Sequence, residues 1–172
     1  MTILTVAARA LICASAGVLY GCASLSPPVD PIGLAVIEWE TESPPFCGRC
    51  DSLKLVVASD GRVWTEEGYW AGRYRDWRTT KRRFQVPPER VAAFRAQLQP
   101  YRPDGFFRLD QEVCKTFWTD SGGFRIKWRE EGREDSLIFD RGCDPAERAS
   151  QAEDIMRAPR LLGIEGLERY MR

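Results

Sequence analysis

Histidine is absent from all 172 residues of the sequence. This absence removes the commonest general base, the commonest metal ligand and the usual pH-sensing side chain. The chain also lacks a G-x-S-x-G nucleophile elbow, a phosphate-binding glycine loop and an H-E-x-x-H metal motif. We therefore predict a protein that is not an enzyme and that needs no metal and no cofactor.

An excess of charge of either sign is also absent, because the sequence contains 25 basic and 25 acidic residues. Residues 1–21 carry only Arg9, so the remaining chain has 24 basic residues against 25 acidic ones, a formal net charge of −1. This balance gives no reason to expect nucleic acid or another polyanion as a partner.

No apolar run is long enough to cross a bilayer, because the uncharged stretch at residues 10–21 is only 12 residues long. A helix of this length cannot span ~30 Å of hydrocarbon, but the length is typical of the apolar region of a secretion signal. The stretch ends in Leu19-Tyr20-Gly21-Cys22, which resembles the bacterial lipobox.

The lipobox resemblance implies that residues 1–21 are a signal peptide and that Cys22 becomes the acylated N-terminus. Two or three acyl chains, palmitate among them, would give stable anchoring where one chain gives marginal anchoring. Ala23 after the cysteine favours the outer membrane, facing the periplasm. The alternatives are an ordinary cleaved signal or a buried apolar helix with an incidental cysteine.

A tether at residues 22–33 is predicted to follow the signal. Ser and Pro dominate residues 23–31, and Pro27-Pro28 favours an extended polyproline conformation. At ~3.1 Å per residue, these nine residues reach roughly 28 Å. We therefore expect residues 34–172 to form one domain held close to the bilayer.

Four cysteines remain once Cys13 has left with the signal and Cys22 is lipidated, namely Cys47, Cys50, Cys114 and Cys143. An even number in an oxidising compartment predicts disulfides, and four cysteines allow three pairings. We favour Cys47–Cys50 with Cys114–Cys143, whose loop of about 30 residues would contribute ~3–4 kcal/mol. The crossed pairings remain open.

Two functional interpretations compete with structural disulfides. The segment Cys47-Gly48-Arg49-Cys50 is similar to a thioredoxin-type C-x-x-C, but an alternating strand follows it instead of the helix that lowers the thiol pKa. A zinc site needs four convergent ligands, whereas Cys114 and Cys143 are far apart in the sequence.

Apolar periodicity and turn residues divide the domain into strands and helices. Asp60-Gly61 is a strong hairpin signal, and Thr119-Asp120-Ser121-Gly122-Gly123 is typical of a turn. Residues 69–78 are expected to continue the sheet, and residues 104–109 to form an apolar connection. The predicted strands are 34–40, 52–58, 62–64, 84–86, 113–119, 124–128 and 137–139.

Two helices and one further short helical element complete the prediction. Val91, Phe94, Leu98 and Tyr101 share one face of a helix that begins near Pro88. Asp144 is expected to cap a second helix, with Pro145 in its first position and Glu147 at the capping-box position; its apolar stripe is Ala149, Ala152, Ile155 and Met156. A last helical element is expected at 163–172. This order predicts an α+β fold, a mainly antiparallel sheet with two to three helices packed on one face.

The segment CGRCDSLKLVVASDGRVWTEEGYW at residues 47–70 resembles an uncharacterised bacterial envelope family, the domain of unknown function numbered 6438. The helix at 88–99, the GFFRL segment at 105–109 and Thr119-Asp120 before a hairpin extend the similarity over residues 35–162. The resemblance implies a fold but no activity, because no function is established for the family.

The most unusual local feature is the segment 73–83, in which six of eleven residues are basic. Guanidinium groups suit phosphates and tryptophan favours membrane interfaces, so this segment is a candidate for binding anionic lipid or lipopolysaccharide. The alternative is a solvated hairpin whose charges pair with Glu66, Glu67 and other acids. The candidate residues are Arg73, Arg75, Trp77, Arg78, Lys81, Arg82 and Arg83.

Glu38, Glu40 and Glu42 share one strand face by spacing, and we interpret them as a solvent-facing row rather than as an acid–base pair. Taken together, the sequence predicts a membrane-anchored envelope lipoprotein with a non-catalytic binding or structural domain. Its partner is an unknown envelope protein, lipid or glycan. A thiol–disulfide protein using Cys47 and Cys50, and anionic-surface binding through 73–83, are the alternatives.

Overall fold

The computed structural model describes residues 34–43, 51–71 and 76–171. Within these ranges the chain forms seven strands and two α-helices, which confirms the α+β class. The helices are α1 (Pro88–Leu98) and α2 (Ala149–Arg157). The strands are β1 (Val36–Glu42), β2 (Ser52–Ala58), β3 (Arg62–Trp70), β4 (Trp77–Gln85), β5 (Phe106–Leu109), β6 (Gly123–Glu130) and β7 (Arg133–Asp140).

All seven strands belong to one sheet in the order β4-β3-β2-β1-β6-β7-β5. The pairs are antiparallel except for β5, which lies parallel to β7. The predicted hairpin at Asp60-Gly61 joins β2 to β3, and Gly61 has a φ of 91°, a left-handed conformation that glycine adopts readily. The mainly antiparallel sheet predicted from the sequence is therefore confirmed.

Alternation sorts the side chains of β6 and β7 into a buried set and a more exposed set, whereas β2 also buries Val56 and Ala58, which form a second small cluster with Val36 and Trp64. In β6, Phe124, Ile126 and Trp128 are buried, as predicted. They join one buried cluster that also contains Val91 and Phe94 of α1 and Ile155 of α2. Burial of this shared apolar surface is the main favourable contribution to the fold.

The segment predicted as a strand at 113–119 is not a strand in the structure. It forms a turn and one isolated bridge, between Phe117 and Cys143. The reason is that side-chain and covalent links hold this segment instead of a strand ladder. The Asp144 carboxylate accepts a hydrogen bond from the Thr116 N–H at 2.8 Å, and Cys114 is bonded to Cys143.

The predicted helix start at Asp144 is wrong, because α2 begins five residues later, at Ala149. Asp144 has a φ of 44°, in the left-handed region, and its carboxylate is occupied by Thr116 rather than by a helix N-terminus. Residues 104–109 also differ from the prediction of a connection, since Phe106–Leu109 forms β5. The predicted element at 163–172 is a 3-10 turn at Leu167–Tyr170.

A charge cluster centred on the buried Asp135 links the segment after α1 to the β6–β7 hairpin. Arg102 donates to Asp135 at 2.6 Å and to Glu130 at 3.0 Å, and Asp135 is only 2% exposed. Burial raises the pKa of Asp135, but hydrogen bonds from Arg133, the Gly105 N–H and Arg102 outweigh this effect and lower the pKa to about 2.

The stabilising contribution of Asp135 should therefore be present above pH 4 and lost as the pH falls toward 2, because the unfolded chain binds its proton first. We expect Asp135→Asn to reduce stability at neutral pH and to flatten the fall in unfolding free energy between pH 4 and pH 2. Urea unfolding at a series of pH values measures both effects.

The control is Asp104→Asn, which removes a fully exposed carboxylate from the same cluster, where it pairs with Arg133. Equal pH slopes for Asp135→Asn and the unsubstituted protein would contradict the assignment to Asp135.

Candidate binding surfaces at the two sheet edges

Strand β4 forms one edge of the sheet and carries most of the predicted basic segment. Alternation along the strand places Trp77, Lys81 and Arg83 on one face, and Arg78 and Arg82 on the other. The structure therefore does not gather these side chains on one surface. The other two candidates, Arg73 and Arg75, lie outside the described residues.

Acidic neighbours compensate the cations of β4. The distance between Lys81 Nζ and Glu66 Oε2 is 3.1 Å, and Arg82 Nη2 lies 2.6 Å from Glu67 Oε1. Arg78 Nε lies 3.2 Å from Asp76 Oδ1. These contacts match the alternative interpretation of the segment, in which its charges pair with nearby acids.

Glu67 shows that Arg82 has a structural role. The Glu67 side chain is buried. It accepts hydrogen bonds from Arg82, from the Thr65 hydroxyl at 3.1 Å and from the Tyr170 hydroxyl at 3.2 Å. Burial and the neighbouring carboxylate raise the pKa of Tyr170. Arg82 thus neutralises a carboxylate that would otherwise be buried without a counter-charge.

The end of the β3–β4 hairpin presents an aromatic pair. The rings of Trp70 and Trp77 meet edge to face with centroids 5.3 Å apart, and Trp77 is 41% exposed. Gly68 allows this arrangement, because a Cβ there would lie 2.1 Å from the Trp77 ring. Charged residues along an exposed edge strand discourage pairing with other chains.

The opposite edge, at β5, is apolar instead of charged. Four of the six exposed large apolar side chains in the described ranges lie between residues 106 and 118. Phe106 is 68% exposed and Phe107 47%, while Val113 is 55% and Trp118 62% exposed. We call these four residues the β5 edge surface.

A shallow groove of about 330 Å³ adjoins Phe106 on the solvent-facing side of the sheet. Ile138 and Ser136 of β7 line it, together with Lys127 of β6. Lys127 pairs with Glu134 at 3.5 Å, so the charged rim of the groove is internally compensated. Because the charged side chains at the rim are paired, the exposed ring of Phe106 is the accessible feature beside the groove.

The disulfide between Cys114 and Cys143 holds the β5 edge surface in place. The two Cα atoms are 5.3 Å apart and the cysteines are separated by 29 residues. This is the pairing that we favour from the sequence, and it excludes the crossed pairings. The bond fastens the segment that carries Val113 and Trp118 to the end of β7, where the Trp118 N–H donates to Gly142 at 2.9 Å.

The same disulfide argues against a zinc site at Cys114 and Cys143. Cys114, Cys143 and Asp144 are the one group of three potential metal ligands found among the described residues. Their sulfurs are bonded to each other and the Asp144 carboxylate accepts the Thr116 N–H. This group therefore presents no thiolate to a metal. Cys22, Cys47 and Cys50 lie outside the described residues.

Sequence reasoning missed the β5 edge surface, although a signal for it was present. Two consecutive phenylalanines in a strand point to opposite faces, so Phe106 and Phe107 cannot both enter one core.

No family model, no curated protein and no solved structure matches this chain. The resemblance to the domain of unknown function numbered 6438 therefore stays a prediction. In the three described ranges, each helix is too short or too polar to span a bilayer.

We expect Arg82→Gln to lower the unfolding free energy by about 1–3 kcal/mol, because it leaves the buried Glu67 without its counter-charge. Lys81→Gln breaks only an exposed ion pair and should cost less than about 1 kcal/mol. Urea unfolding followed by tryptophan fluorescence measures both. Equal and small effects would show that Arg82 is a solvated cation, which would favour the anionic-surface hypothesis.

Proposed function

We propose that this chain is an envelope lipoprotein, anchored through Cys22, whose domain is a non-catalytic module that binds another envelope protein through the β5 edge surface. The observation that carries the proposal is that four of the six exposed large apolar side chains in the described ranges lie on β5 and on the segment that follows it, while the opposite edge strand is charged. Exposed apolar patches of this kind mark interaction sites more often than isolated apolar residues do.

The disulfide supports the proposed compartment. Disulfides persist in the periplasm and outside the cell, whereas thiols are kept reduced in the cytosol. The Cys114–Cys143 bond therefore agrees with export by the predicted signal at residues 1–21. It also favours binding, because a surface held rigid before association loses less conformational entropy on association.

We further infer that both helices cover the same face of the sheet. Val91 and Phe94 of α1 and Ile155 of α2 share one buried cluster with Trp39 and Ile126 of the central strands. The Trp39 indole N–H donates to the Ile155 carbonyl at 3.1 Å. Helices placed there leave the β5 edge open to a partner.

The geometry of β5 suits an extended apolar partner segment. Strand β5 has four residues and ends the sheet, with β7 as its one neighbour in the described structure. A partner strand could add to this edge through main-chain hydrogen bonds, with Phe106 and Phe107 available on opposite faces. Trp118 extends the contact beyond the strand.

The two alternatives stay predictions. Cys47 and Cys50 could form a redox pair, and a reduction potential well below about −300 mV would identify a structural bond instead. Anionic-surface binding through 73–83 is disfavoured by the ion pairs of Arg78, Lys81 and Arg82. Charge reversal at Arg75 and Arg78 tests it by liposome binding at two salt concentrations.

A photo-crosslinking amino acid at position 107 or 118 should give one crosslinked product of defined mass in intact cells, because both positions lie on the β5 edge surface. The same amino acid at Leu161, which is exposed elsewhere, is the matched control. Adding Phe106→Glu should abolish the product from position 107. The proposal fails if positions 107 and 161 give the same products, or if Phe106→Glu changes nothing.

The lipid anchor is tested separately. Cys22→Ser should prevent acylation and move the protein from the membrane fraction to the soluble periplasmic fraction. Cys13→Ser is the control, because that residue should leave with the signal and its substitution should not alter fractionation. If Cys22→Ser associates with the membrane as strongly as the unsubstituted chain does, the lipobox prediction is contradicted.

A further inference from the structure

A second recess lies on the β4 side of the sheet, away from the β5 edge surface. It is a groove of about 560 Å³ between the end of β4, the start of α1 and the turn that follows α2. The volume lies in the range of small-molecule sites. Phe84, Val86, Leu162 and Ile164 give the groove an apolar lining.

Arg90 lines this groove, and its side chain has no hydrogen bond or ion pair in the portion of the chain that the structure describes; its backbone N–H donates to the Pro87 carbonyl. Neighbouring cations are paired: Arg82 with Glu67, and Arg95, farther along α1, with Glu130. The Arg90 guanidinium lies directly over Gly163, where a Cβ would come within 1.4 Å of it. Glycine at this position therefore makes the room that the guanidinium occupies.

Glu165 lines the same groove and is likewise exposed and unpaired among the described residues. Arg90 and Glu165 do not form an ion pair with each other, although both border one apolar recess. Among the described residues that line the recess, one unpaired guanidinium, one unpaired carboxylate and apolar side chains complement a ligand with an anionic group, an ammonium group and an apolar portion.

The groove lies at the end of the sheet where β1 begins. The Ser59 N–H donates to the Ala35 carbonyl at 2.9 Å, and the Val86 N–H donates to the Gly61 carbonyl at 2.8 Å. Ala35 lies just before β1 and Val86 lines the groove. These two bonds, made by residues on either side of Asp60, place the start of β1 and the groove at the same end of the sheet. If Cys22 carries the proposed anchor, only residues 22–33 separate this end of the domain from the bilayer.

We propose that the groove binds the headgroup of an aminophospholipid such as phosphatidylethanolamine. Arg90 donates hydrogen bonds to the phosphate, where a guanidinium fits two oxygens at once. Glu165 accepts hydrogen bonds from the primary ammonium. Phe84 and Pro87, the accessible apolar residues of the lining, contact the glycerol and the first acyl carbons, while Val86, Leu162 and Ile164 are buried beneath them. This site is separate from the β5 edge surface, so either proposal can fail alone.

The test is native mass spectrometry of the full chain released from a neutral detergent with added lipid. The probes are phosphatidylethanolamine, phosphatidylcholine, phosphatidic acid and inorganic phosphate. We expect one phosphatidylethanolamine to be retained in preference to phosphatidylcholine, whose quaternary ammonium donates no N–H bond to a carboxylate. Arg90→Gln should weaken retention of phosphatidylethanolamine and phosphatidic acid about tenfold.

Glu165→Gln should remove the preference for phosphatidylethanolamine over phosphatidylcholine without weakening the binding of phosphatidic acid. The matched controls are Arg157→Gln and Glu153→Gln, which alter an exposed ion pair on α2 that does not line the groove. Thermal unfolding by circular dichroism checks that all four variants remain folded.

Three results would overturn the proposal. The first is equal retention of phosphatidylethanolamine and phosphatidylcholine by the unsubstituted chain. The second is a loss of binding in Arg157→Gln as large as that in Arg90→Gln. The third is complete displacement of the lipid by an equal concentration of inorganic phosphate, which would identify a simple anion site in which the apolar lining has no part.

Discussion

The pairing of β1 on both sides is the constraint on which the rest of the sheet depends. Strand β1 lies between β2 and β6 and so joins the β2–β3–β4 half to the β6–β7–β5 half. Its Trp39 is fully buried, lies 5.4 Å from the Phe124 ring between centroids and donates its indole N–H to α2. One side chain thus fixes the centre of the sheet to a helix that is 116 residues away in the sequence.

The opposite face of β1 carries an acidic row that pairs with basic residues of both neighbouring strands. Glu38 and Glu42 pair with Arg129 and Arg125 of β6, while Lys54 of β2 lies 3.7 Å from Glu38 and 3.9 Å from Glu40. Opposite charges across neighbouring strands stabilise the pairing modestly, whereas like charges there would destabilise it. The acidic row on β1 is therefore the counterpart of the basic row on β6, and the two nearly cancel.

Both edge strands of this sheet have main-chain groups that can pair with another chain, and the two edges limit that pairing in different ways. Strand β4 is nine residues long and would be a template for aggregation, but its charged side chains oppose pairing with another chain. Strand β5 is short and parallel to its neighbour, and it leaves aromatic side chains exposed. The short length of β5 limits the risk of pairing with another chain, even though its aromatic side chains are exposed. The disulfide confines the segment that carries Trp118 to one position.

Ionisable groups away from the sheet edges are also paired, either with an opposite charge or with a hydrogen-bond partner. Arg102 and Arg133 satisfy Asp135, and Tyr101 donates to Asp154 at 2.6 Å. Burial, and next the hydrogen bond to Asp154, raise the pKa of Tyr101 to about 12. The Arg102–Asp135 and Tyr101–Asp154 contacts tie the turn after α1 to β7 and α2, so these polar groups contribute to the specificity of packing.

The sequence by itself determined the features that depend on neighbouring residues. Alternation predicted β2 and the buried face of β6, a period near 3.6 residues predicted α1, and Asp60-Gly61 predicted the hairpin, because each follows from local backbone geometry. Only the tertiary structure decided which charges are paired and where Asp144 directs its carboxylate. Strand register and the disulfide bring together residues that no local spacing relates. The structure thus pairs Arg78, Lys81 and Arg82 of β4 with acidic neighbours. The exposed Phe106 and the Arg90 side chain, which has no partner among the described residues, also became visible only in the folded chain.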